Sequence, residues 1–267
     1  MIPSRGYDRA MNPAESAAEL QRLHADPELL VLVNVWDAIT AKVVADLPGC
    51  AALATASHSI AASHGYPDGE QIPLDLMIAA IARIAGAVDL PVSADLEAGY
   101  GAPGEAVRRA IGAGAVGANL EDQMAPLGQS VSAVSAAVSA GRAEGIAFAL
   151  NARTDAYLMA GERDPESVLA DAIERGRAYL DAGATCVFVP GRIDATTIAR
   201  LVDGIGTRKL SLLAGPGMPT PAELCSLGVA RVSLGPWSQR IALTALADTG
   251  AAILAGGSLP ADVRALS

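Results

Sequence analysis

The sequence predicts an α/β protein built as a (β/α)8 TIM barrel, in a single domain over residues 1–267. Eight short apolar runs of β-forming character recur along the chain, and a segment with helical spacing of apolar residues follows each of the first seven. Most runs are apolar at nearly every position, which is typical of strands covered on both faces. Eight strand–helix alternations in 267 residues favour a barrel over an open doubly wound sheet. The glycine-rich dinucleotide fingerprint is also missing after the first run, where NVWDAIT stands instead.

Each element follows from apolar spacing and from signals at its ends. The runs predict strands at residues 31–35, 51–55, 91–95, 116–120, 146–150, 185–189, 210–214 and 229–234. The segments between them predict helices at residues 40–47, 73–88, 103–114, 132–145, 165–183, 194–205 and 220–228. A leading helix, Pro13 to His24, precedes the first strand, and residues 236–267 contain one or two helices after the last strand.

Composition limits the possible partners and the compartment. The chain carries 19 basic and 29 acidic residues, a formal net charge of −10, which argues against a surface that tracks nucleic-acid phosphates. The longest uncharged stretches are interrupted by polar residues, glycine and proline, so no membrane span is expected. The first residues lack the apolar segment of a secretory signal. Three cysteines, an odd number, suggest a reducing compartment, and we expect a cytoplasmic protein.

Two covalent mechanisms are disfavoured by where the lysines and cysteines lie. A Schiff-base enzyme needs a lysine at the carboxyl end of a strand, but Lys42 lies in the first predicted barrel helix and Lys209 at the entry of the seventh strand. Cys50, Cys186 and Cys225 precede a strand, lie inside a strand and lie on a helix, where each is expected to be a small buried hydrophobic residue. Neither a Schiff base nor a thiol nucleophile is therefore expected.

Acidic residues follow the predicted strands at the end where barrel active sites lie. Asp95 and Glu97 are two residues apart and point to the same side of an extended chain, while Glu121 follows the fourth strand and Asp68 lies in the second loop. Four converging carboxylates require a cation. Oxygen ligands without a histidine pair or thiolates indicate Mg²⁺ first and Mn²⁺ second. The alternative is that these acids cap helices or pair with Arg153.

Arg153 comes just past the fifth predicted strand and is expected to face the same cavity. A planar guanidinium in an acidic site suits a carboxylate or phosphonate of a substrate. The alternative is that Arg153 neutralises Asp155 or Glu121, and a buried arginine can do both.

Loop residues offer further groups for a substrate. Ala56, Ser57 and residues 99–101 would supply backbone N–H groups for substrate oxygens. His58 and His64 lie in the second loop, and each is either solvated or structural, or a proton donor or substrate ligand.

The motifs NVWDAITAKVV, GYPDGE, ADLEAGYG, NLEDQ and NARTDAY, in this order, resemble the isocitrate lyase and phosphoenolpyruvate mutase superfamily. The resemblance runs from about Asn34 to Tyr157, and AGPGMPTPAELCSLGVARVSLG extends it to the eighth strand. It implies a (β/α)8 barrel whose C-terminal helices, within residues 236–267, are exchanged between subunits of a homodimer or homotetramer. It also implies a Mg²⁺ site that holds an α-keto acid or its enolate.

Roles follow from the resemblance residue by residue. Asp95 matches the direct Mg²⁺ ligand, Glu97 replaces the usual second aspartate, and Glu121 and Asp68 match outer carboxylates that act through water. Arg153 matches the substrate-binding arginine. The remaining implied substrate contacts are Trp36, Asp37, Thr55, Ala56, Ser57, Gly99 and Tyr100.

Two departures from the family patterns bear on the reaction. Lyases of the superfamily carry a K-K-C-G-H motif on a gating loop after the fourth strand, but residues 123–145 contain no Cys, Lys or His. Cysteine-dependent cleavage of isocitrate or methylisocitrate is thereby disfavoured. Phosphonopyruvate enzymes carry E-D-K-x-x-P-K-x-N-S, whereas this chain keeps Pro126 and Ser130, lacks both lysines and has Gln129 in place of the asparagine. Pro190 stands where the family has a histidine after the sixth strand, and Arg192 would supply positive charge instead.

The predicted function is a Mg²⁺-dependent enzyme that acts through an enolate on a small α-keto or 2-hydroxy acid. Phosphorus–carbon chemistry of the phosphoenolpyruvate mutase or phosphonopyruvate hydrolase kind is the first prediction. The alternatives are a carbon–carbon lyase of the methylisocitrate or 2-alkylmalate kind with a non-cysteine acid and base, and an inactive barrel that binds keto acids. Arg153 and Glu121 are predicted to act in catalysis, and His58, Gln129 and Tyr100 are candidates for the general acid or base.

Overall fold

The computed structural model describes residues 12–266, and its strands form one parallel sheet that bends into a nearly closed barrel. The strand order is β1-β9-β8-β7-β6-β5-β4-β3-β2. The first predicted strand is split at Val33: its first segment pairs with the last strand and its second segment with β3, so the sheet runs round the barrel. The strands are β1 (Leu30–Leu32), β2 (Asn34–Val35), β3 (Leu53–Thr55), β4 (Val92–Asp95), β5 (Gly117–Glu121), β6 (Ala149–Arg153), β7 (Cys186–Val189), β8 (Leu210–Leu213) and β9 (Arg231–Ser233). The predicted fold class is confirmed.

Helices alternate with these strands and cover the outside of the sheet. They are α1 (Pro13–Ala25), α2 (Ala38–Ala45), α3 (Ser57–Ser63), α4 (Leu74–Ala85), α5 (Pro103–Gly112), α6 (Leu127–Ala143), α7 (Pro165–Asp181), α8 (Ala195–Ile205), α9 (Pro221–Ser226) and α10 (Trp237–Leu254). Side chains that accept hydrogen bonds from the first turn fix where several of them begin, because the first N–H groups of a helix have no partner within it. These caps are Asn12, Asp37, Asp164, Asp194 and Thr220.

One end of the barrel is closed by α1. Leu20 of this helix is fully buried against Gly117 at the start of β5. Gln21 donates a hydrogen bond from Nε2 to the Phe148 carbonyl oxygen at 3.2 Å and to Thr185 Oγ1 at 2.9 Å. These contacts all lie at the amino ends of strands, so chemistry is left to the carboxyl ends.

The structure moves two elements relative to the sequence prediction. The run at residues 146–150 predicted the fifth strand, but β6 spans Ala149–Arg153, because Asn151 and Arg153 pair with β5 and β7 although they are polar. Helix α6 begins at Leu127 rather than Ser132. Only residues 122–126 therefore separate β5 from α6, fewer than residues 121–131 that the predicted strand and helix left between them.

The C-terminal segment forms one helix, α10, followed by residues 255–266 without a helix or strand. Gln239 is the only buried residue of α10 among the described residues, while Ile241, Leu246 and Leu254 are 64%, 68% and 91% exposed. Exchange of this helix between subunits stays a prediction, which the exposed apolar side chains support. Within residues 12–266, every helix is too short or too polar to cross a bilayer.

The close approach of α1 to β5 can be tested at Gly117. A Cβ atom there would lie 2.7 Å from the Ala149 carbonyl oxygen and 2.8 Å from Leu20 Cδ2, so Gly117→Ala should lower the free energy of unfolding by about 1–3 kcal/mol. Gly112→Ala, on α5, is the matched control because its Cβ would meet nothing within 4 Å. It should stabilise by about 0.5 kcal/mol. Urea unfolding measures both, and equal stabilities would contradict the packing.

Candidate active site

Four neighbouring strands each end on a residue that the sequence singled out. Thr55, Asp95, Glu121 and Arg153 are the last residues of β3, β4, β5 and β6. Because the strands are parallel, these residues share one end of the barrel, which we call the mouth. The structure thus brings together the predicted metal ligand, one predicted outer carboxylate, the predicted substrate arginine and a predicted substrate hydroxyl.

Asp95 is held in place by the residues around the end of β3. Its Oδ2 accepts hydrogen bonds from the Ser57 N–H at 3.0 Å and the Ser57 Oγ–H at 2.8 Å. Its own N–H donates to Thr55 Oγ1 at 2.9 Å, and the Ala56 N–H donates to the Val35 carbonyl oxygen at 3.2 Å. The sequence predicted that the N–H groups of Ala56 and Ser57 are free to bind substrate oxygens, but both are already used. The Ala56 N–H continues the pairing of β3 with β2, and the Ser57 N–H binds the Asp95 carboxylate.

Arg153 forms two ion pairs. Its Nη1 lies 2.6 Å from Glu121 Oε2, and its Nε donates to Asp155 Oδ1 at 2.6 Å. Burial raises the pKa of Glu121 to about 7 despite the nearby guanidinium, with the carboxylates of Asp155 and Asp95 adding to the rise. Burial works against the charge of Arg153, but the surrounding carboxylates raise its pKa above the ordinary value. In this structure Arg153 neutralises both acids, which was the alternative interpretation of the sequence.

Glu97 is 3% exposed and joins two loops at the mouth. Its Oε2 accepts a hydrogen bond from the Glu70 N–H and its Oε1 accepts one from the Tyr100 hydroxyl at 3.3 Å, while the Tyr100 N–H donates to Glu70 Oε1 at 2.6 Å. We call these three residues the Glu97 clasp. Burial raises the pKa of Glu97 to about 7, against the hydrogen bond from Glu70, and the carboxylates of Asp95, Asp68 and Glu70 raise it further.

The glycine loop after β4 is shaped by a close approach. Gly99 has φ +90°, and a Cβ atom there would lie 2.7 Å from Pro103 Cα, so only glycine fits. Its N–H donates to the Leu96 carbonyl oxygen at 2.9 Å, and the N–H of Tyr100 belongs to the Glu97 clasp. Two of the N–H groups predicted to receive substrate oxygens at residues 99–101 are therefore already bonded within the chain.

Other predicted residues lie apart from Asp95 and Arg153. Gln129 is exposed on the first turn of α6, since that helix begins earlier than expected, and it forms no hydrogen bond with either residue. Asp37 caps α2, with Oδ1 accepting from the Thr40 N–H at 2.7 Å. A role of Gln129 as an acid or base stays a prediction, and the cap gives Asp37 a structural role.

Four other predicted residues have different surroundings. Asp68 is exposed in the loop before the Glu97 clasp and acts on Glu97 through its charge. Trp36 is half-buried and packs against the hydrophobic core. His58 is half-buried on α3, and its Nδ1 is buried without a hydrogen-bond partner among the described residues. His64 instead directs Nδ1 at the Ile60 carbonyl oxygen, 2.9 Å away, at the end of α3.

The described cysteines are free, and none stands at the carboxyl end of a barrel strand. Cys186 is fully buried within β7, where its thiol donates to the Lys209 carbonyl oxygen at 3.1 Å. Burial raises the pKa of this thiol to about 12 and also raises that of Cys50. Cys186 is buried as expected, whereas Cys50 and Cys225 are half-buried, and the raised pKa values of Cys186 and Cys50 disfavour their thiolate forms.

Sequence reasoning gave no role to Asp122, which is buried behind the mouth. Its Oδ1 accepts from the N–H groups of Met124 and Asp155 at 2.9 and 3.0 Å. Its Oδ2 accepts from the Tyr179 hydroxyl at 2.6 Å and from Arg175 Nη1 at 3.1 Å. The spacing of Arg175 and Tyr179, four residues apart on α7, places both on one helix face and is the signal that could have found this network.

The donor chemistry of the mouth fits a hard divalent cation bound by few protein atoms. Within residues 12–266, no three His, Cys, Asp or Glu side chains come together in metal-binding geometry. The hydrogen bonds that the described residues give Asp95 all go to Oδ2, which leaves Oδ1 for a cation. Mg²⁺ often keeps several waters and one or two carboxylate ligands. The pKa values of Glu97 and Glu121 are raised mainly by burial, with neighbouring carboxylates adding to the rise, and a bound cation would favour the charged form of both.

Comparisons with known proteins agree with this arrangement. Residues 20–254 match the model of the family described as phosphoenolpyruvate phosphomutase. The 2,3-dimethylmalate lyase of Eubacterium barkeri is 30% identical over 218 residues, which cover 71% of this chain and 72% of the lyase.

Two solved structures have the same barrel. A protein of Burkholderia cenocepacia J2315, described as a "putative phosphonomutase", superposes with a TM-score of 0.84 at 38% identity, covering 92% of this chain and all of the other. An oxaloacetate acetylhydrolase in complex with oxalate superposes with a TM-score of 0.82 at 26% identity, covering 94% of this chain and 90% of the other. The chain belongs to the phosphoenolpyruvate phosphomutase family, within the phosphoenolpyruvate mutase and isocitrate lyase superfamily.

Proposed function

We propose that this chain is a Mg²⁺-dependent enzyme that makes or breaks a bond beside the carbonyl group of a small α-keto or 2-hydroxy acid. The observation that carries the proposal is the meeting of Asp95, Glu121 and Arg153 at the ends of three neighbouring strands. Carboxylates for a cation and a guanidinium for an anion thus share one mouth. A small acid carries both groups that such a mouth would bind, a carboxylate and an adjacent oxygen.

Asp95 would hold the metal ion directly, and Glu97, Glu121 and Asp68 would hold its water ligands, with Mn²⁺ as a possible substitute for Mg²⁺. A bound Mg²⁺ stabilises negative charge on an enolate oxygen. Ser57 keeps the Asp95 carboxylate in one orientation through two hydrogen bonds, and Thr55 fixes the backbone from which it projects.

Arg153 would bind the carboxylate or phosphonate of the substrate. Its ion pairs use Nε and Nη1, and Nη2 has no hydrogen bond to a described residue, so this nitrogen is left for a ligand. Because Glu121 and Asp155 fix the plane of the guanidinium, the arginine would meet the substrate in one orientation. The general acid or base stays unassigned. His58 and Tyr100 are candidates from the sequence, and both are half-buried.

The charge of the mouth favours carbon–carbon over phosphorus–carbon chemistry. A phosphonate brings more negative charge than a carboxylate, and this chain has Gln123 and Leu127 at the two positions where phosphonopyruvate enzymes of the superfamily carry lysines. Gln123 donates from Nε2 to Glu121 Oε1 at 3.1 Å and adds no charge. The relative named 2,3-dimethylmalate lyase also acts on a substituted 2-hydroxy acid.

Phosphorus–carbon chemistry is the second candidate, because the frame of this loop is kept. Pro126 precedes α6, and the hydroxyl of Ser130 donates to the Ala125 carbonyl oxygen at 3.4 Å. The similar protein described as a phosphonomutase supports the same candidate. Exchange of α10 between subunits, and a cytoplasmic location, remain proposals beside either reaction.

The raised pKa of the buried Glu97 carboxyl predicts how the metal-free protein responds to pH. A carboxyl whose pKa is raised on folding binds its proton more tightly in the native state, so stability falls as the pH rises from about 4.5, the ordinary value, to about 7. Glu97→Gln should reduce this fall in the free energy of unfolding between pH 5 and pH 8, measured by urea unfolding with a chelator. Glu105→Gln, an exposed acid on α5 beside Arg108, should keep the wild-type slope. If the free energy of unfolding falls equally with pH in the wild type and in Glu97→Gln, the raised pKa of Glu97 is contradicted.

The metal assignment predicts that Asp95→Ala abolishes Mg²⁺-dependent binding of oxalate, which mimics an enolate. Calorimetric titration should show a loss of at least about 100-fold in affinity, since a direct ligand contributes more than the roughly 10- to 100-fold of an outer partner. Asp75→Ala removes the same charge from an exposed site on α4 and should bind like the wild type. Unchanged oxalate binding in Asp95→Ala would refute the assignment.

The reaction is tested by a substrate panel. With Mg²⁺ present, we expect turnover of oxaloacetate or a 2-alkylmalate, which assays for pyruvate and other keto acids would detect. We expect no new phosphorus resonance when the protein is incubated with phosphonopyruvate. Asp95→Ala is the inactive control. A phosphorus NMR product would favour the second candidate over the first. Tight oxalate binding without turnover of any member would favour an inactive barrel that binds keto acids.

A further inference from the structure

Arg231, on β9, lies inside the barrel with no exposed surface. Its Nη1 donates to Ser93 Oγ at 3.4 Å and its Nη2 to Asn119 Oδ1 at 3.2 Å. Its Nε has no hydrogen-bond partner, and no carboxylate of the described residues forms an ion pair with it. A buried charge with only neutral partners is costly unless opposite charge acts on it from nearby. The position of this guanidinium therefore needs an explanation beyond packing.

The two acceptors of Arg231 lie directly beneath the mouth. Ser93 is two residues before Asp95 on β4, and Asn119 is two residues before Glu121 on β5. Side chains two residues apart on a strand point to the same side and are separated by about 6.6 Å along it. The guanidinium thus lies one layer below the two carboxylates at which a cation is proposed to bind.

The same layer continues under Arg153. Asn151, two residues before Arg153 on β6, donates from Nδ2 to Asn119 Oδ1 at 2.8 Å and to Ser211 Oγ at 3.3 Å. Asn119 therefore accepts from both Asn151 and Arg231. The layer is polar but, apart from Arg231, uncharged, so the guanidinium supplies its entire charge.

We propose that Arg231 is an electrostatic positioning residue, whose buried charge offsets the carboxylates of the mouth and so allows an anionic ligand to bind beside the cation. The inference rests on the proposed function. Burial lowers the pKa of Arg231 to about 10, which leaves it charged at neutral pH, and Asp95 acts in the opposite direction. In a low-dielectric interior one charge acts strongly across a layer of this thickness. Removing the charge of Arg231 should lower the affinity for the anion and leave the affinity for the cation equal or higher.

Calorimetric titration separates these two effects. Arg231→Gln and Arg231→Met remove the charge, and Ser93→Ala removes a hydrogen bond while keeping it. Arg231→Lys keeps the charge when titrated at pH 6, because burial lowers the pKa of a lysine and favours its neutral form as the pH rises. We expect the two neutral variants to lose about tenfold or more in oxalate affinity at saturating Mg²⁺, the size expected for one charge at this range. Their affinity for Mg²⁺ alone should stay equal or rise. Arg231→Lys and Ser93→Ala should bind both ligands within about threefold of the wild type.

A merely structural role would give a different pattern. If Mg²⁺ and oxalate affinities fall together in the neutral variants, or if Ser93→Ala loses as much oxalate affinity as Arg231→Gln, the inference is overturned. Thermal unfolding shows which variants fold. If neither neutral variant folds, Arg231→Lys decides, because a tenfold loss of oxalate affinity in it at pH 6, where the lysine is protonated, would also overturn the inference. A wild type that binds no oxalate would refute the proposed function itself, and the role of Arg231 with it.

Discussion

Negative charge outweighs positive charge at the carboxyl ends of the strands, and the rest of the mouth is arranged around its neutralisation. Glu121 and Arg153 are direct neighbours across β5 and β6, so the register of one strand pair creates their ion pair. Asp155 takes the other side of the same guanidinium. Burial raises the pKa values of Glu121 and Asp155, and Arg153 acts against both shifts. One arginine thus serves two carboxylates. Little positive charge is left to balance Asp95 and Glu97, and this shortage is the main physical argument for a divalent cation.

The dipeptide Glu121-Asp122 shows how the barrel separates chemistry from structure. Consecutive residues of an extended chain point to opposite faces. Glu121 therefore faces the mouth, while Asp122 turns outward to Tyr179 and Arg175 of α7. The second carboxylate also receives the N–H of Asp155. It thereby fixes the turn from which Asp155 holds Arg153, and a residue with no access to substrate supports the orientation of one that would contact it.

The sequence was sufficient for the barrel and for three residues of the mouth. Parallel strands bring their carboxyl ends together whatever the details of packing, so Asp95, Glu121 and Arg153 could be placed without coordinates. Hydrogen bonding at the backbone could not be inferred in this way. Whether the Ala56 N–H is free depends on how far β3 continues to pair with β2. The surroundings of Gln129 depend on where α6 begins. Apolar spacing predicted a start at Ser132, whereas the helix starts at Leu127, directly after Pro126.

Arg231 marks a further limit of apolar patterns. Within VARVSL an arginine interrupts a mostly apolar run, and a search of strand ends passes over it because it stands at the start of β9. Strands tilt in a barrel, so the start of one can lie level with the middle of another. Arg231 indeed meets Ser93 and Asn119, both in the interior of their strands. Counting back by two from Asp95, Glu121 and Arg153 gives Ser93, Asn119 and Asn151, all polar, whereas the same step from Thr55 gives the apolar Leu53. A polar layer beneath a catalytic layer is therefore readable from sequence once the strand ends are known, and a buried arginine elsewhere in the barrel is the group that such a layer can accommodate.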